Sequence, residues 1–285
     1  MNAQILDGKA YAQERKQKLM EEIHSLKSLT HEVPRIFSIV TGDDPASYSY
    51  ATSQQKTAES VGIHYELKIF DLHSSQKDVL KLIHELNGYN DVHGIIVNKP
   101  LPANMDFKTI INAITPLKDI EGMNVLNFGR LLLGEEGIFP CTPSAALELL
   151  KSSGIGLKGK KALVIGRSEI VGKPMALLLL KEDMTVTVCH SKTIDLPSMT
   201  RQADVVIAAI GKPELVKGDW IKEGAVVIDV GINQVNGKLV GDVDFMSVRP
   251  KASYITPVPG GVGPVTAVML MSNALKAFKI QRSII

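Results

Sequence analysis

The chain has 285 residues, of which 45% are hydrophobic and 22% are charged, and its formal net charge at neutral pH is +2. This length favours two domains with a cleft between them, and the balanced charge argues against nucleic acid or an acidic membrane as the main partner. No apolar run approaches the roughly 18 residues that span a bilayer, and neither a secretory signal nor metal-ligand spacing is present, so we expect a cytoplasmic protein without metal.

Strand and helix patterns alternate along the first half of the chain. Asp7 is a suitable N-cap for a first helix, whose apolar positions include Leu19, Ile23 and Leu26. Strands that alternate with helices indicate a mainly parallel sheet covered on both faces, in an α/β domain. The elements predicted after the first helix are strands at 36–40, 65–70 and 94–97 and helices at 47–61 and 79–86.

The second half, from Pro143 onward, has the short β-branched strands of a Rossmann-type dinucleotide-binding domain. The last helix is amphipathic, and we expect it to pack back onto the first domain. We therefore assign residues 143–265 to the dinucleotide-binding domain and residues 1–142 plus 266–285 to an N-terminal α/β substrate domain. The predicted elements are helices at 144–151 and 265–279 and strands at 162–165, 185–189, 205–210 and 225–230.

A glycine turn follows the first strand of this second half. Gly166 ends the strand and Gly172 opens the next helix. Glycines let the backbone approach a pyrophosphate, and the helix N-terminus offers unpaired N–H groups. Because tight strand-to-helix turns use glycine in many proteins, a purely structural role remains the alternative. The residues of this turn that we assign to cofactor binding are Gly166, Arg167, Ser168, Ile170, Val171 and Gly172.

The residues after the next strand favour NADP over NAD. An acidic residue about 20 positions after the glycine turn usually binds the ribose 2′-hydroxyl of NAD. This chain has His190, Ser191 and Lys192 at that place, with Arg167 in the turn itself, so donors and positive charge gather where a 2′-phosphate would lie. The alternative is that Arg167 and Lys192 are solvated surface charges.

Four further stretches carry a family resemblance, and several shorter motifs occur with them in the same order. The stretches are Gly42-Asp-Asp-Pro-Ala-Ser-Tyr-Ser-Tyr50, Pro100-Leu-Pro102, Pro140-Cys-Thr-Pro143 and Thr256-Pro-Val-Pro-Gly-Gly-Val-Gly-Pro-Val-Thr266. Together they resemble the bifunctional methylenetetrahydrofolate dehydrogenase/cyclohydrolase family. The resemblance implies oxidation of 5,10-methylenetetrahydrofolate with NADP, hydrolysis of the methenyl product to 10-formyltetrahydrofolate, and a homodimer. It also adds Ile232, in the motif Asp229-Val-Gly-Ile-Asn233, to the cofactor residues.

The oxidation step asks little of acid or base groups, because a hydride leaves a carbon whose cationic character the substrate's own nitrogens stabilise. The protein must mainly hold two planar partners face to face. The turn at Gly260 and Gly261 would bring backbone close to both ligands, although it would equally serve as a rigid loop before the last helix. The residues assigned to substrate binding are Tyr50, Asn98, Pro100, Leu101, Glu121, Pro259, Gly260 and Gly261.

The hydrolysis step needs a proton source, and here the chain departs from the family. The resemblance implies a catalytic lysine four residues after Tyr50, but Gln54 occupies this position. An amide cannot replace an ammonium as a proton donor near neutral pH. Lys56 is close in sequence, yet two residues along a helix turn a side chain by about 200°, so we interpret it as an exposed cation.

Two other site positions differ as well. The glutamine that the resemblance implies before Leu-Pro is Asn98, followed by Lys99, which is either a surface lysine or a cation supplied from another wall of the pocket. The aspartate that would bind the polar edge of the pterin is Glu121, whose extra methylene moves the carboxylate by about 1.5 Å. The candidate catalytic residues are therefore Tyr50, Gln54, Asn98, Glu121, Lys56 and Lys99.

Three functions stay open at this point. The first is an NADP-dependent methylenetetrahydrofolate dehydrogenase whose cyclohydrolase step is weakened or absent. The second is the full bifunctional enzyme, with Lys56 or Lys99 as proton carrier. The third is a non-catalytic protein that binds NADP or folate.

Overall fold

The structure, a computed structural model, describes residues 2–284. All the strands and helices predicted above are present, with ends that shift by a few residues. The helices in chain order are α1 (Gly8–Thr30), α2 (Pro45–Ser60), α3 (Gln76–Gly88), α4 (Phe107–Ala113), α5 (Val125–Leu133), α6 (Cys141–Ser152), α7 (Gly172–Lys181), α8 (Leu196–Thr200), α9 (Phe245–Val248) and α10 (Val262–Gln281). The strands are β1 (Gln4–Ile5), β2 (Arg35–Thr41), β3 (His64–Phe70), β4 (Gly94–Val97), β5 (Lys161–Ile165), β6 (Thr185–Cys189), β7 (Val205–Ala208), β8 (Val226–Asp229), β9 (Asn233–Val235), β10 (Lys238–Val240) and β11 (Tyr254–Ile255).

The described chain divides into two compact units. Residues 2–13 and 140–266 form one, which we call the six-stranded unit, and residues 14–139 and 267–284 form the three-stranded unit. The predicted boundaries placed the N-terminal residues with the substrate domain, whereas here they belong to the six-stranded unit. The reason is that β1 pairs in parallel with β11, Gln4 opposite Tyr254.

The six-stranded unit is built on a parallel sheet in the order β1-β11-β8-β7-β5-β6. Its central strands are buried on both faces, as the continuous apolar runs predict. The parallel arrangement brings the carboxyl ends of β5, β6, β7 and β8 to one edge. Loops at that edge are where an open α/β sheet binds its ligands.

A small antiparallel hairpin, β9 and β10, follows the sheet strand β8. Its two-residue turn is Asn236-Gly237, with φ of 50° and 76°. Asn-Gly is the preferred sequence for such a turn because both residues adopt positive φ. This hairpin was absent from the sequence prediction although its turn signal is present.

The three-stranded unit has a parallel sheet in the order β3-β2-β4. One face packs on an apolar cluster that includes Ile39, Ile83 and Ile95. The end of α10 belongs to this unit, where the Asn273 side chain donates to the carbonyl oxygens of Ile120 and Phe139. Among residues 2–284, no helix is both long and apolar enough to cross a membrane.

Candidate active site

Helix α2 and the sheet of the three-stranded unit bring together the first group of candidate residues. The register places Tyr65 opposite Ile36 and Ile96 opposite Ser38. Side chains two residues apart on a strand share a face, so Tyr65, Ser38 and Asn98 lie on the same face of the sheet. The buried residues of α2 recur at helical spacing and include Gln54, which contacts Tyr65 across this interface.

Gln54 is almost fully buried, with only 3% of its surface exposed. Tyr65 Oη donates a hydrogen bond to its Oε1 at 3.1 Å, whereas its Nε2 has no partner among the described residues. Tyr50, one helical turn earlier, is exposed. The position at which the family lysine is expected therefore holds a neutral, enclosed amide.

Asn98 follows β4 directly and is also buried. Its Nδ2 donates to Ser38 Oγ at 2.7 Å and to the Ile39 carbonyl oxygen at 3.1 Å. Its Oδ1 has no partner in the part of the chain that is described. Pro100 and Leu101 follow in the same loop, which begins with a cis peptide bond between Lys99 and Pro100.

Glu121 lies in a segment held by its neighbours. Lys118 Nζ donates to three carbonyl oxygens at the end of α3, and the buried Asp119 accepts from the Asn124 backbone N–H at 2.6 Å. Burial raises the pKa of Glu121 to about 7, and the charge of Asp119 adds to the effect, against a backbone hydrogen bond from Val97 and the charge of Lys99. Glu121 therefore exchanges its proton near neutral pH.

The two candidate lysines are both exposed and lie on different segments of the three-stranded unit. Lys56 is exposed on α2, two residues beyond the buried Gln54. Lys99 is also exposed, and its Nζ lies 3.6 Å from the centroid of the Phe107 ring in a cation–π contact. Neither lysine donates to Gln54 or Asn98, although the charge of Lys99 acts on Glu121.

In the six-stranded unit, the glycine turn after β5 is built by close backbone approach. Gly166 has φ of +129°, and a Cβ there would lie 2.1 Å from the Ala209 carbonyl oxygen. A Cβ on Gly172 would lie 2.2 Å from the Gly166 oxygen. The Ser168 hydroxyl oxygen accepts from the backbone N–H groups of Val171 at 3.1 Å and Gly172 at 3.3 Å. These positions accept only glycine and fit a turn that closes around a phosphate.

The side chains around this turn are open to solvent. Arg167, Ser168 and Ile170 are exposed, and Ser191 and Lys192 are exposed after the neighbouring strand β6. His190 is half-buried, and its Nδ1 accepts from the Lys192 backbone N–H at 3.2 Å. The parallel pairing of β5 with β6 puts both groups at one edge of the sheet. This edge can present positive charge and hydroxyl donors to a second phosphate group.

Two buried carboxylates organise the remaining loops at this edge: Asp229, known from the sequence only as the start of a motif, and Asp242, which was not predicted. Asp242 accepts from the backbone N–H groups of Ile210 at 2.5 Å, Gly211 at 2.9 Å and Lys212 at 2.9 Å, and from Asn233 Nδ2 at 2.9 Å. Asp229 accepts from the Gly231, Asp242 and Val243 backbones. Burial raises the pKa of Asp229 to about 7, against these hydrogen bonds. The exposed Ile232 lies between Gly231 and Asn233, which hydrogen-bond Asp229 and Asp242 respectively.

We expect Asp242→Asn to lower the free energy of unfolding by about 2 kcal/mol, because the new amide nitrogen would face backbone donors that need an acceptor. Chemical denaturation followed by circular dichroism measures the change. The control is Asp244→Asn, at the N-cap of α9, where asparagine caps as well as aspartate and only a surface ion pair with Lys217 at 3.2 Å is lost. Equal stability of the two variants would contradict the organising role of Asp242.

The turn before α10 lies in the six-stranded unit. The peptide bond between Val258 and Pro259 is cis, and Gly260 has φ of +106° and lies beside the Lys9 side chain. Gly261 follows, immediately before α10 begins. The three residues assigned from this turn to substrate binding therefore form one compact loop.

Comparison with known proteins covers nearly the whole chain. Residues 6–121 match the family model for the tetrahydrofolate dehydrogenase/cyclohydrolase catalytic domain, and residues 140–282 match that for the NAD(P)-binding domain of the same family. The bifunctional protein FolD of Bacillus licheniformis is 49% identical over 280 residues, or 98% of each chain.

Two solved structures are also similar to this chain over nearly its whole length. The bifunctional enzyme FolD of Campylobacter jejuni is 46% identical with a TM-score of 0.95, covering 98% of this chain and 99% of that chain. The Trypanosoma brucei enzyme, solved with NADP cofactor and an inhibitor, is 39% identical with a TM-score of 0.93, covering 100% of this chain and 99% of that one.

Proposed function

This chain belongs to the tetrahydrofolate dehydrogenase/cyclohydrolase family, and on that premise we propose that it oxidises 5,10-methylenetetrahydrofolate with NADP and lacks an efficient cyclohydrolase step. We infer the lack of an efficient cyclohydrolase step from Gln54. Its buried amide accepts a hydrogen bond from Tyr65 at the position where the family has a catalytic lysine. The proposal separates two reactions that the bifunctional relatives combine.

The turn after β5 supports the dehydrogenase half of the proposal. The Gly166 and Gly172 backbones leave no room for side chains, and Arg167, Ser191 and Lys192 supply charge and hydroxyl donors for an NADP 2′-phosphate. When bound, NADP supplies the acceptor for the hydride. The chain's own contribution to this step is to orient the substrate ring and keep it in place, which needs no proton transfer.

The pocket of the three-stranded unit supports the loss of hydrolysis. Adding water to the methenyl carbon and expelling a ring nitrogen requires a group that carries a proton near neutral pH. Gln54 has no such proton, Lys56 is exposed, and the Lys99 ammonium is held over Phe107. Glu121 titrates near pH 7, but its carboxylate is assigned to holding the polar edge of the pterin.

A paired assay tests the proposal. Purified protein is given 5,10-methylenetetrahydrofolate and NADP, and reduction of NADP is followed by absorbance. Loss of methenyltetrahydrofolate absorbance is followed separately. We expect oxidation at a normal enzymatic rate and hydrolysis slower by about 100-fold or more. Rapid hydrolysis would contradict the proposal and implicate Lys99, which Lys99→Met would test; absence of both activities would favour a binding protein.

Folate binding should depend on pH through Glu121. The carboxylate form is the acceptor for the pterin N–H groups, and with a pKa of about 7 its population grows as pH rises from 6 to 8. We expect the dissociation constant for 5-formyltetrahydrofolate to fall up to about tenfold per pH unit below 7 and to level off above it. Calorimetric titration at several pH values measures this.

The Glu121→Gln variant should bind more weakly and lose this pH dependence. Glu135→Gln, which removes an exposed carboxylate of the same unit, serves as the matched control. A pH profile in Glu121→Gln that matches the wild type would assign the titration to another group.

The assembly and location of the enzyme are proposed from the family alone. We propose a homodimer that associates through the six-stranded unit, and a cytoplasmic location. Its main partner is a reduced one-carbon folate, in line with the relatives it matches.

A further inference from the structure

Four buried polar side chains form a chain of polar contacts between the sheet and α2, at the candidate folate-binding residues. Asn98 Nδ2 donates to Ser38 Oγ at 2.7 Å and Tyr65 Oη donates to Gln54 Oε1 at 3.1 Å, while the Ser38 hydroxyl lies close enough to Tyr65 to oppose the rise in its pKa. Each residue is at most 5% exposed. Tyr65 and Ser38 are not among the residues assigned from the sequence.

The direction of this chain is set by a backbone carbonyl. The Ile39 oxygen can only accept, so the Asn98 atom facing it at 3.1 Å must be the Nδ2 donor. Ser38 Oγ then accepts from Asn98, which leaves its own single proton to face the Tyr65 oxygen, and the lowering effect of Ser38 on the Tyr65 pKa agrees with that direction. Tyr65 passes its proton to Oε1 of Gln54. Burial raises the pKa of Tyr65, so its hydroxyl stays protonated and remains a donor.

Each end of the chain has one atom left over. Gln54 Nε2 is a buried donor and Asn98 Oδ1 a buried acceptor, and neither has a partner among residues 2–284. Buried polar atoms in native proteins are nearly always paired, so an unpaired donor and an unpaired acceptor on two candidate active-site residues indicate groups that a ligand satisfies.

We propose that Tyr65 and Ser38 are positioning residues that lock the two amides, so that Gln54 offers an N–H and Asn98 offers a carbonyl oxygen to an uncharged heterocycle. The choice of a reduced folate as this ligand rests on the proposed function. A neutral donor at residue 54 suits a substrate acceptor that stays unprotonated, such as a ring carbonyl. It also explains how the pocket tolerates an amide where an ammonium is expected.

The test distinguishes an effect on the orientation of the Gln54 amide from an effect on side-chain packing. Tyr65→Phe keeps the ring and removes only the hydroxyl, and Ser38→Ala breaks the chain at a residue that does not touch Gln54. The side-chain amide resonances of Gln54, assigned by their absence in Gln54→Leu, are recorded in ¹⁵N-labelled protein. We expect both variants to shift or broaden these resonances. Tyr48→Phe, which removes a hydroxyl bonded to the Gly42 carbonyl at 3.0 Å, is the matched control and should not.

The same variants are then titrated with 5-formyltetrahydrofolate. We expect the dissociation constant to rise about tenfold in Tyr65→Phe, the factor for one hydrogen bond, with kcat in the dehydrogenase assay changing less than KM. Unchanged Gln54 resonances in Ser38→Ala would overturn the proposal, even if Tyr65→Phe failed to fold. Failure of the wild type to bind the folate would also overturn it. Shifted resonances and weaker binding without any turnover would instead contradict the proposed dehydrogenase function while leaving the positioning role intact.

Discussion

Gln54→Lys is expected to raise methenyltetrahydrofolate hydrolysis by at least about 100-fold, because a positioned acid or base contributes roughly that factor or more. The new ammonium would occupy the buried position on α2 that faces Tyr65. The Tyr65 oxygen can accept from it, and the charge of Glu121, which acts on Tyr65, would favour the ammonium form. NADP reduction should continue, since the hydride step needs no proton carrier.

The matched control is Gln55→Lys, which makes the same substitution one residue further along. One residue turns the side chain by about 100° on a helix, so this lysine would point away from the pocket. Gln55 bonds to Glu59 at 2.9 Å on the exposed side of α2, where a lysine is easily accommodated. Cyclohydrolase activity is measured for both variants by the decay of methenyl absorbance.

Two results would contradict this prediction. A wild-type protein that already hydrolyses its product rapidly would show that Gln54 is no obstacle. A folded Gln54→Lys variant without any gain would show that Asn98 or Glu121 also blocks the reaction. The double variant Gln54→Lys/Asn98→Gln would then locate the remaining obstacle.

Gly172→Ala is expected to weaken NADP binding by at least about 100-fold, which corresponds to roughly 2.8 kcal/mol. The new Cβ would lie 2.2 Å from the Gly166 oxygen and 2.8 Å from the Arg167 Cα, and both are backbone atoms that cannot swing aside. The turn must therefore open, which moves the N–H groups at the start of α7 that would bind phosphate. Calorimetric titration with NADP gives the dissociation constant.

Gly156→Ala is the control for this variant. Gly156 lies in the same unit with nothing within 4 Å of an added Cβ. Circular dichroism of both variants checks that any loss of binding does not come from unfolding. NADP affinity within threefold of the wild type in a folded Gly172→Ala protein would contradict the role assigned to this turn.

The elements that could be predicted are those whose signals lie within a few residues. The alternation of strands and helices follows from apolar periodicity, and the turn after β5 follows from two glycines at the right spacing. The β9–β10 hairpin carries an equally local Asn-Gly signal and was still missed. In contrast, β1 and β11 have only two residues each, too few to show a period, and form because their neighbours in the sheet offer partners.

The sequence by itself determined which chemical groups this protein can use: an amide at residue 54, another at residue 98, a glutamate at residue 121 and a glycine turn for a dinucleotide. Only the tertiary structure decided how these groups are presented. Ser38 and Asn98 are 60 residues apart, and Asp242 binds a loop about 30 residues away, so no local window contains either partnership. The raised pKa of Glu121 likewise comes from burial. Residue type is local, whereas contacts and desolvation arise when distant segments pack together.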